Sequence, residues 1–77
     1  MRVGIKVTGQ LIDLCQVDHV DVDSGASVQN VLDALGIPAR QVGLVSVNGK
    51  AVPKAQRAQV TLHESDQMVV MAPLTGG

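Results

Sequence analysis

The segment from residue 27 to residue 38 carries the start, face and stop signals of a helix, and it constrains the fold more than any other stretch of this chain. Ser27 is a suitable N-cap, since its hydroxyl oxygen can accept hydrogen bonds from the N–H groups of the first turn. Gly36 stands where a left-handed C-cap is wanted, and Pro38 prevents the helix from resuming. Between these caps the apolar residues form a single stripe, which needs another element to cover it. That stripe consists of Val28, Val31, Leu32 and Leu35.

Five other segments predict β-strands. Residues 2–8 and 19–23 alternate apolar and polar side chains, which indicates half-buried strands that pair antiparallel. Residues 43–47 and 50–53 flank Asn48-Gly49, the strongest short hairpin signal, and Pro53 places the return strand at an edge. Residues 67–72 are nearly all apolar, as expected of a central strand. We interpret residues 11–18 as a wide loop with Leu11 and Leu14 directed inward.

The order ββαβββ, with one main helix, predicts an α+β domain in which a mixed β-sheet packs on that helix. The chain has 77 residues, so we expect one domain over residues 1–72, followed by a flexible tail over residues 73–77. There is no aromatic residue, and the net charge is −1, which argues against nucleic acid as a partner. No apolar run approaches the roughly 20 residues of a membrane span, so no membrane partner is expected.

The chain ends in Pro73-Leu74-Thr75-Gly76-Gly77. Neither terminal glycine has a Cβ, so such a tail can lie in a narrow channel and bring its carboxylate to another protein's reactive centre. Pro73 fixes one φ angle and favours an extended conformation at Ala72, so the tail should leave the body stiffly. The alternative is an ordinary frayed terminus, and composition alone leaves both interpretations open.

The reactive side chains do not form a catalytic or metal-binding set. His19 and His63 lack the short spacing of a paired ligand motif, and no metal is expected. Cys15 cannot form an internal disulfide because it is the only cysteine, which favours a reducing, cytoplasmic location.

Successive side chains of a strand point to opposite faces of the sheet, which predicts two different faces for the last strand. If Met68 and Val70 face the helix, Val69 and Met71 face away, beside Leu74. An exposed apolar patch next to the tail is typical of a partner surface, and Met suits such a surface because its side chain adapts to different partners. In the alternative, all of these side chains are buried.

Taken together, these residues resemble the β-grasp sulfur carriers of the ThiS/MoaD family, which are ubiquitin-like. The resemblance covers nearly the whole chain: the strand and helix order, the helix start at Ser27, the Asn48-Gly49 hairpin and the terminal glycines. The family carries Gly-Asp before the last strand, whereas this chain has Ser65-Asp66.

The resemblance implies a protein that is not an enzyme but a co-substrate, with no cofactor bound by itself. An adenylating enzyme resembling ubiquitin E1 would use ATP to activate the carboxylate of Gly77. A sulfur donor, such as a cysteine desulfurase or a rhodanese-type protein, would convert it to a thiocarboxylate. That sulfur would pass to an enzyme of cofactor biosynthesis, of the thiamin or molybdopterin type. Pro73, Leu74, Thr75 and Gly76 would thread into the partner, and Val69 and Met71 would form the interface.

Two other functions fit the same residues. The chain could be a ubiquitin-like modifier conjugated to proteins through Gly77, or a β-grasp binding subunit whose tail is idle. A modifier would appear on heavier target proteins, and a binding subunit would tolerate loss of Gly76 and Gly77.

Overall fold

Five strands form one mixed sheet in the computed structural model, which describes residues 1–9 and 17–73. The strands are β1 (Arg2–Thr8), β2 (His19–Asp21), β3 (Leu44–Val47), β4 (Lys50–Val52) and β5 (Gln67–Met71). The sheet order is β2-β1-β5-β3-β4, with β1 and β5 parallel and the other neighbours antiparallel. This confirms the predicted mixed sheet and the central position of the last strand.

The second strand is shorter than the sequence predicted. It ends at Asp21, which pairs with Arg2 at the very start of β1, so little of the neighbouring strand remains for residues 22 and 23. Two hydrogen bonds continue the contact by one residue: Val22 N–H donates to Met1 O at 2.9 Å, and the N-terminal ammonium group of Met1 donates to Val22 O at 2.6 Å. The alternation of apolar and polar side chains therefore extends beyond the end of the regular strand.

The predicted helix is confirmed as α1, Val28–Leu35, with both of its caps. Asn30 N–H donates to Ser27 Oγ at 3.2 Å, and Ser27 N–H donates to Asn30 Oδ1 at 3.0 Å. This reciprocal pair satisfies two donors of the first turn. Gly36 adopts the left-handed conformation at φ 73, where a side chain would be strained.

The core lies between α1 and one face of the sheet. Val31 and Leu32 of the helix are almost completely buried, while Leu35 at its end is half-buried and packs against the core edge. Removal of this apolar surface from water is the main stabilising contribution to a domain of this size. The strands contribute Val3, Ile5, Val45, Val52, Met68 and Val70 to the core.

Residues 53–66 cross from the edge strand β4 to the central strand β5. The segment contains a 3-10 helix, Lys54–Gln56, and another 3-10 helix, Ala39–Gln41, precedes β3. Leu62 anchors the crossing in the core, and its N–H donates to Ala26 O at 2.8 Å. Within the described residues, no helix combines the length and apolarity needed to cross a membrane.

Candidate functional site: the tail exit and the outer sheet face

The chain leaves the sheet at the end of β5, and we call this place the tail exit. Some of the predicted site residues are described by the structure and others are not. Val69, Met71 and Pro73 are described by the structure. Leu74, Thr75, Gly76 and Gly77 lie outside the described residues, so the roles predicted for them stay predictions.

The two faces of β5 differ as the alternation of its side chains predicts. Met68 and Val70 have no exposed surface and face α1, whereas Val69 and Met71 are half-buried on the opposite face. The arrangement that would bury all of them is therefore wrong. Whether Val69 and Met71 contact a partner stays a prediction.

The sheet register extends this apolar face to β3. Leu44 is opposite Met71, and on the other side of β5 Met71 is opposite Thr8. Leu44 is 45% exposed, which is unusual for so large an apolar side chain. The sequence indicates that Leu44 and Val45 point to opposite faces of β3. The sheet order is needed to show that Leu44 lies beside Met71. We call Leu44, Val69 and Met71 the outer patch.

A groove of about 660 Å³ continues the outer patch toward the tail. No residue that lines it carries a charged side chain, so a partner would be recognised mainly by apolar contact and by backbone hydrogen bonds. Lys6 of β1 is the partner of Val69, two residues before the Thr8–Met71 pair, and its side chain is exposed. The groove is lined by Thr8, Gly9, Gly43, Leu44, Met71, Ala72 and Pro73.

The polar network beside the hairpin explains two of the residues that carry the family resemblance. Asn48 Nδ2 donates to Asp66 Oδ1 at 2.9 Å, and Gln67 N–H donates to Asn48 Oδ1 at 2.9 Å. The hydrogen bond from Asn48, followed by that from the N–H of His63, lowers the pKa of Asp66 below its ordinary value. These contacts join the β3–β4 hairpin to the start of β5 and leave the tail exit untouched.

The turn before β5 has Ser65 at the position where the family carries glycine. Ser65 takes the left-handed conformation at φ 68, and its N–H donates to Arg2 O at 2.9 Å. Asp66 N–H donates to His63 O at 3.1 Å and closes the turn. Serine therefore occupies a conformation that glycine adopts at lower cost.

The histidines are paired locally with carboxylates. His19 Nδ1 lies 2.7 Å from Asp18 Oδ1, and this hydrogen bond lowers the pKa of Asp18. His63 Nδ1 lies 3.7 Å from Asp66 Oδ2. Among residues 1–9 and 17–73, no three histidine, cysteine or acidic side chains are grouped closely enough to hold a metal ion. Cys15 lies outside the described residues.

Comparison with known proteins places this geometry in a family. The sequence profile of the ThiS family matches residues 5–77, nearly the entire chain. The chain belongs to the ThiS family. Its resemblance to ThiS/MoaD proteins and its ubiquitin-like β-grasp fold are thereby confirmed. A search of curated protein sequences finds no match to the chain.

Solved structures share the fold of this ThiS-family chain at low sequence identity. SAMP1 from Haloferax volcanii has a TM-score of 0.76 at 24% identity, with 100% of each chain covered. The Haloferax volcanii HVO 2177 protein has a TM-score of 0.80 at 22% identity, covering 100% of this chain and 87% of the other. The thiamine biosynthesis protein ThiS from Geobacter metallireducens has a TM-score of 0.71 at 18% identity, with 100% of each chain covered.

Membership in the ThiS family has consequences at a coarse level. Small carrier proteins of this kind are generally not catalytic, and they generally work with E1-like activating enzymes and sulfur-transfer enzymes. The similar structures include both a thiamine biosynthesis protein and an archaeal modifier protein.

Proposed function

We propose that this chain is a sulfur carrier whose C-terminal carboxylate, on Gly77, becomes a thiocarboxylate and donates sulfur to cofactor biosynthesis of the thiamin or molybdopterin type. The observation that carries the proposal is the position of the tail exit. The central strand β5 ends beside an uncharged groove, next to the half-buried Met71 and the exposed Leu44. A tail that starts there can enter a partner's channel while the partner covers the outer patch.

The chemistry needs no side chain of the carrier. A carboxylate is a poor electrophile, so an E1-like enzyme transfers AMP from ATP to the Gly77 carboxylate and releases pyrophosphate. A persulfide sulfur, carried by a cysteine desulfurase or a rhodanese-type protein, then attacks the acyl carbon and expels AMP, which leaves an acyl disulfide. A thiol attacks the donor protein's sulfur in that S–S bond, so the thiocarboxylate is released and the thiol and the donor form a disulfide. Sulfur thus replaces one carboxylate oxygen, and a biosynthetic enzyme consumes the thiocarboxylate and returns the carboxylate. This is consistent with the lack of a catalytic set among the described side chains.

The test is the intact mass of the chain recovered from the cells that make it. A sulfur carrier gains the mass difference between sulfur and oxygen, confined to the C-terminal fragment after proteolysis. The matched control is the chain without Gly77, which keeps every described residue. If the recovered chain does not show this mass, and if no sulfur is incorporated when the chain is supplied with ATP, the activating enzyme, the sulfur donor and a thiol, the carrier function is wrong.

The outer patch is proposed as the surface that contacts the activating enzyme. We predict that Met71→Asp leaves the fold nearly intact but weakens this complex at least tenfold, because the partner would desolvate an unpaired charge. The control is Ala34→Asp, which adds the same charge on an exposed position of α1, in the layer opposite the patch. Calorimetric binding by Met71→Asp equal to that of the wild type would place the interface elsewhere.

A protein modifier joined to target lysines through Gly77 is the second candidate. It is supported by the likeness to SAMP1, whose name describes a small archaeal modifier protein. This function predicts heavier conjugates that carry the chain and vanish when Gly77 is removed. The third candidate, a binding subunit with an idle tail, predicts that loss of Gly76 and Gly77 changes nothing.

A further inference from the structure

Ala72, the last residue before the tail's proline, lies between Gly9, which follows β1, and Gly43, which precedes β3. Thr8 and Leu44 are the partners of Met71 on its two sides. One residue further along, the same registers place Gly9 and Gly43 on either side of Ala72. The backbone hydrogen bond from Gly43 N–H to Met71 O, at 2.8 Å, continues the β3–β5 pairing to this point.

Gly43 is required by space and not by backbone conformation. An ideal Cβ at Gly43 would lie 2.5 Å from Pro73 Cα and 2.7 Å from both Ala72 O and Pro73 N. Real Cβ atoms essentially never come within 3.0 Å of another atom, and these three atoms are backbone. Gly43 is not among the glycines with positive φ, so any residue could adopt its conformation. Only the departing tail excludes a side chain.

Gly9 restricts the other side of Ala72. Its φ is +67, and an ideal Cβ there would lie 3.0 Å from Ala72 Cβ. By contrast, Gly25, Gly36 and Gly49 have nothing within 4 Å of an ideal Cβ, so their positive φ alone explains them. A Cβ is therefore excluded by backbone atoms at Gly43 and crowded at Gly9, and these two glycines flank the tail exit. Gly4 also lacks room for a Cβ, but the obstacle there is the side chain of Gln67.

We propose that Gly43, assisted by Gly9, is a positioning residue that sets the direction in which the tail leaves the sheet. This proposal rests on the carrier function above. The four residues after Pro73 span at most about 13–14 Å when extended. When a partner's channel holds the tail extended, a turn of a few tens of degrees at its base would therefore displace the terminal carboxylate by several ångströms. Misplacement by about 1 Å can cost roughly 100-fold in rate. Docking of the outer patch does not depend on that direction.

The test is Gly43→Ala. We expect its melting temperature to stay close to that of the wild type, with altered chemical shifts and residual dipolar couplings confined to residues 72–77 and their two flanking strand ends. In ATP–pyrophosphate exchange with the activating enzyme, kcat should fall roughly 10–100-fold, while the dissociation constant of the complex stays within about twofold. A structural defect would instead weaken binding and lower the melting temperature together. The control is Gly25→Ala, which adds a Cβ where the space is open; its positive φ should lower the melting temperature but leave kcat unchanged.

A rescue experiment separates direction from folding. In Gly9→Ala the added Cβ meets Ala72 Cβ, so Gly9→Ala combined with Ala72→Gly removes that contact and keeps the strain at residue 9. We expect the double variant to recover kcat and the tail signals that Gly9→Ala loses. The proposal is overturned if Gly43→Ala leaves the tail signals unchanged, or if the double variant does not recover them. Because the NMR measurement needs no partner, it decides the proposal even if the wild-type chain is never adenylated, which would overturn the carrier function instead.

Discussion

Ser65 has a backbone conformation that its side chain disfavours. It is one of two non-glycine residues with positive φ in the described ranges, and it occupies the turn before β5. The other, Asn48, tolerates this conformation better because its short polar side chain can form local hydrogen bonds. The turn survives the departure from the family's glycine because the contacts of Arg2 and His63 hold it.

We predict that Ser65→Gly stabilises the chain by about 0.5–1 kcal/mol, since relief of left-handed strain exceeds the added flexibility of the unfolded chain. The free energy of unfolding from denaturant melts measures this. The matched control is Ser24→Gly, at an exposed turn position without positive φ, which should gain nothing. Equal effects at both positions would mean that the strain is not stored at Ser65.

Asp66 links stability to pH. Its pKa is lowered in the folded chain, first by the hydrogen bond from Asn48. A lowered pKa contributes stability that is present above the unfolded value, about 3.9, and is lost as pH falls through the folded value. We therefore predict that Asp66→Asn is less stable than the wild type at neutral pH and that the difference shrinks below about pH 4. A difference that stays constant from neutral pH into this acidic range would show that the carboxylate is not the source.

At the level of elements, local signals predicted most of the fold. The caps and stripe of α1, and the Asn48-Gly49 hairpin with φ values of 52 and 85, follow from residues close in sequence. The sequence analysis did not predict the two 3-10 helices, because three residues are too few to show a periodic pattern of apolar side chains.

Residues 11–18 were interpreted as a loop, and all but Val17 and Asp18 lie outside the described residues. Gly43 gave no signal, because its constraint comes from residues 72 and 73.

The helix also carries a quantitative prediction. Leu32 is 1% exposed in the middle of the apolar stripe, so Leu32→Ala should cost about 2–5 kcal/mol. Leu35→Ala is the graded control: Leu35 is half-buried, and the cost should be clearly smaller. In denaturant melts, the dependence of the free energy of unfolding on denaturant concentration should stay unchanged, so that the loss can be assigned to the folded core. A cost near zero at Leu32 would contradict the packing of α1 on the sheet.

At the scale of the whole molecule, the two faces of the sheet have different surroundings. One face of the sheet packs on α1, and the other face presents the outer patch, the groove and the start of the tail. The sequence predicted which face of β5 is which, because parity is a local property. It could not predict that Leu44 lies beside Met71, because that depends on the order of strands far apart in the chain. Family membership and fold were within reach of the sequence, and the division of the chain into a domain and a tail at residue 73 stays a prediction.

The central claim is that function depends on the carboxylate of Gly77 and on the absence of a side chain at Gly76. Removing Gly77 leaves a carboxylate about 3.3–3.6 Å short of full reach, and adding an alanine after Gly77 moves it outward by the same step. Gly76→Val keeps the reach and adds a branched side chain. All three variants should melt like the wild type, because every core residue of the structure is unchanged.

The decisive measurement is ATP–pyrophosphate exchange by the activating enzyme with these three variants as substrates. We predict that the wild type supports exchange and that all three variants fail, although each still binds the enzyme through the outer patch. If the deletion and the extension both remain full substrates, the tail is not the site of activation and the chain acts as a binding subunit.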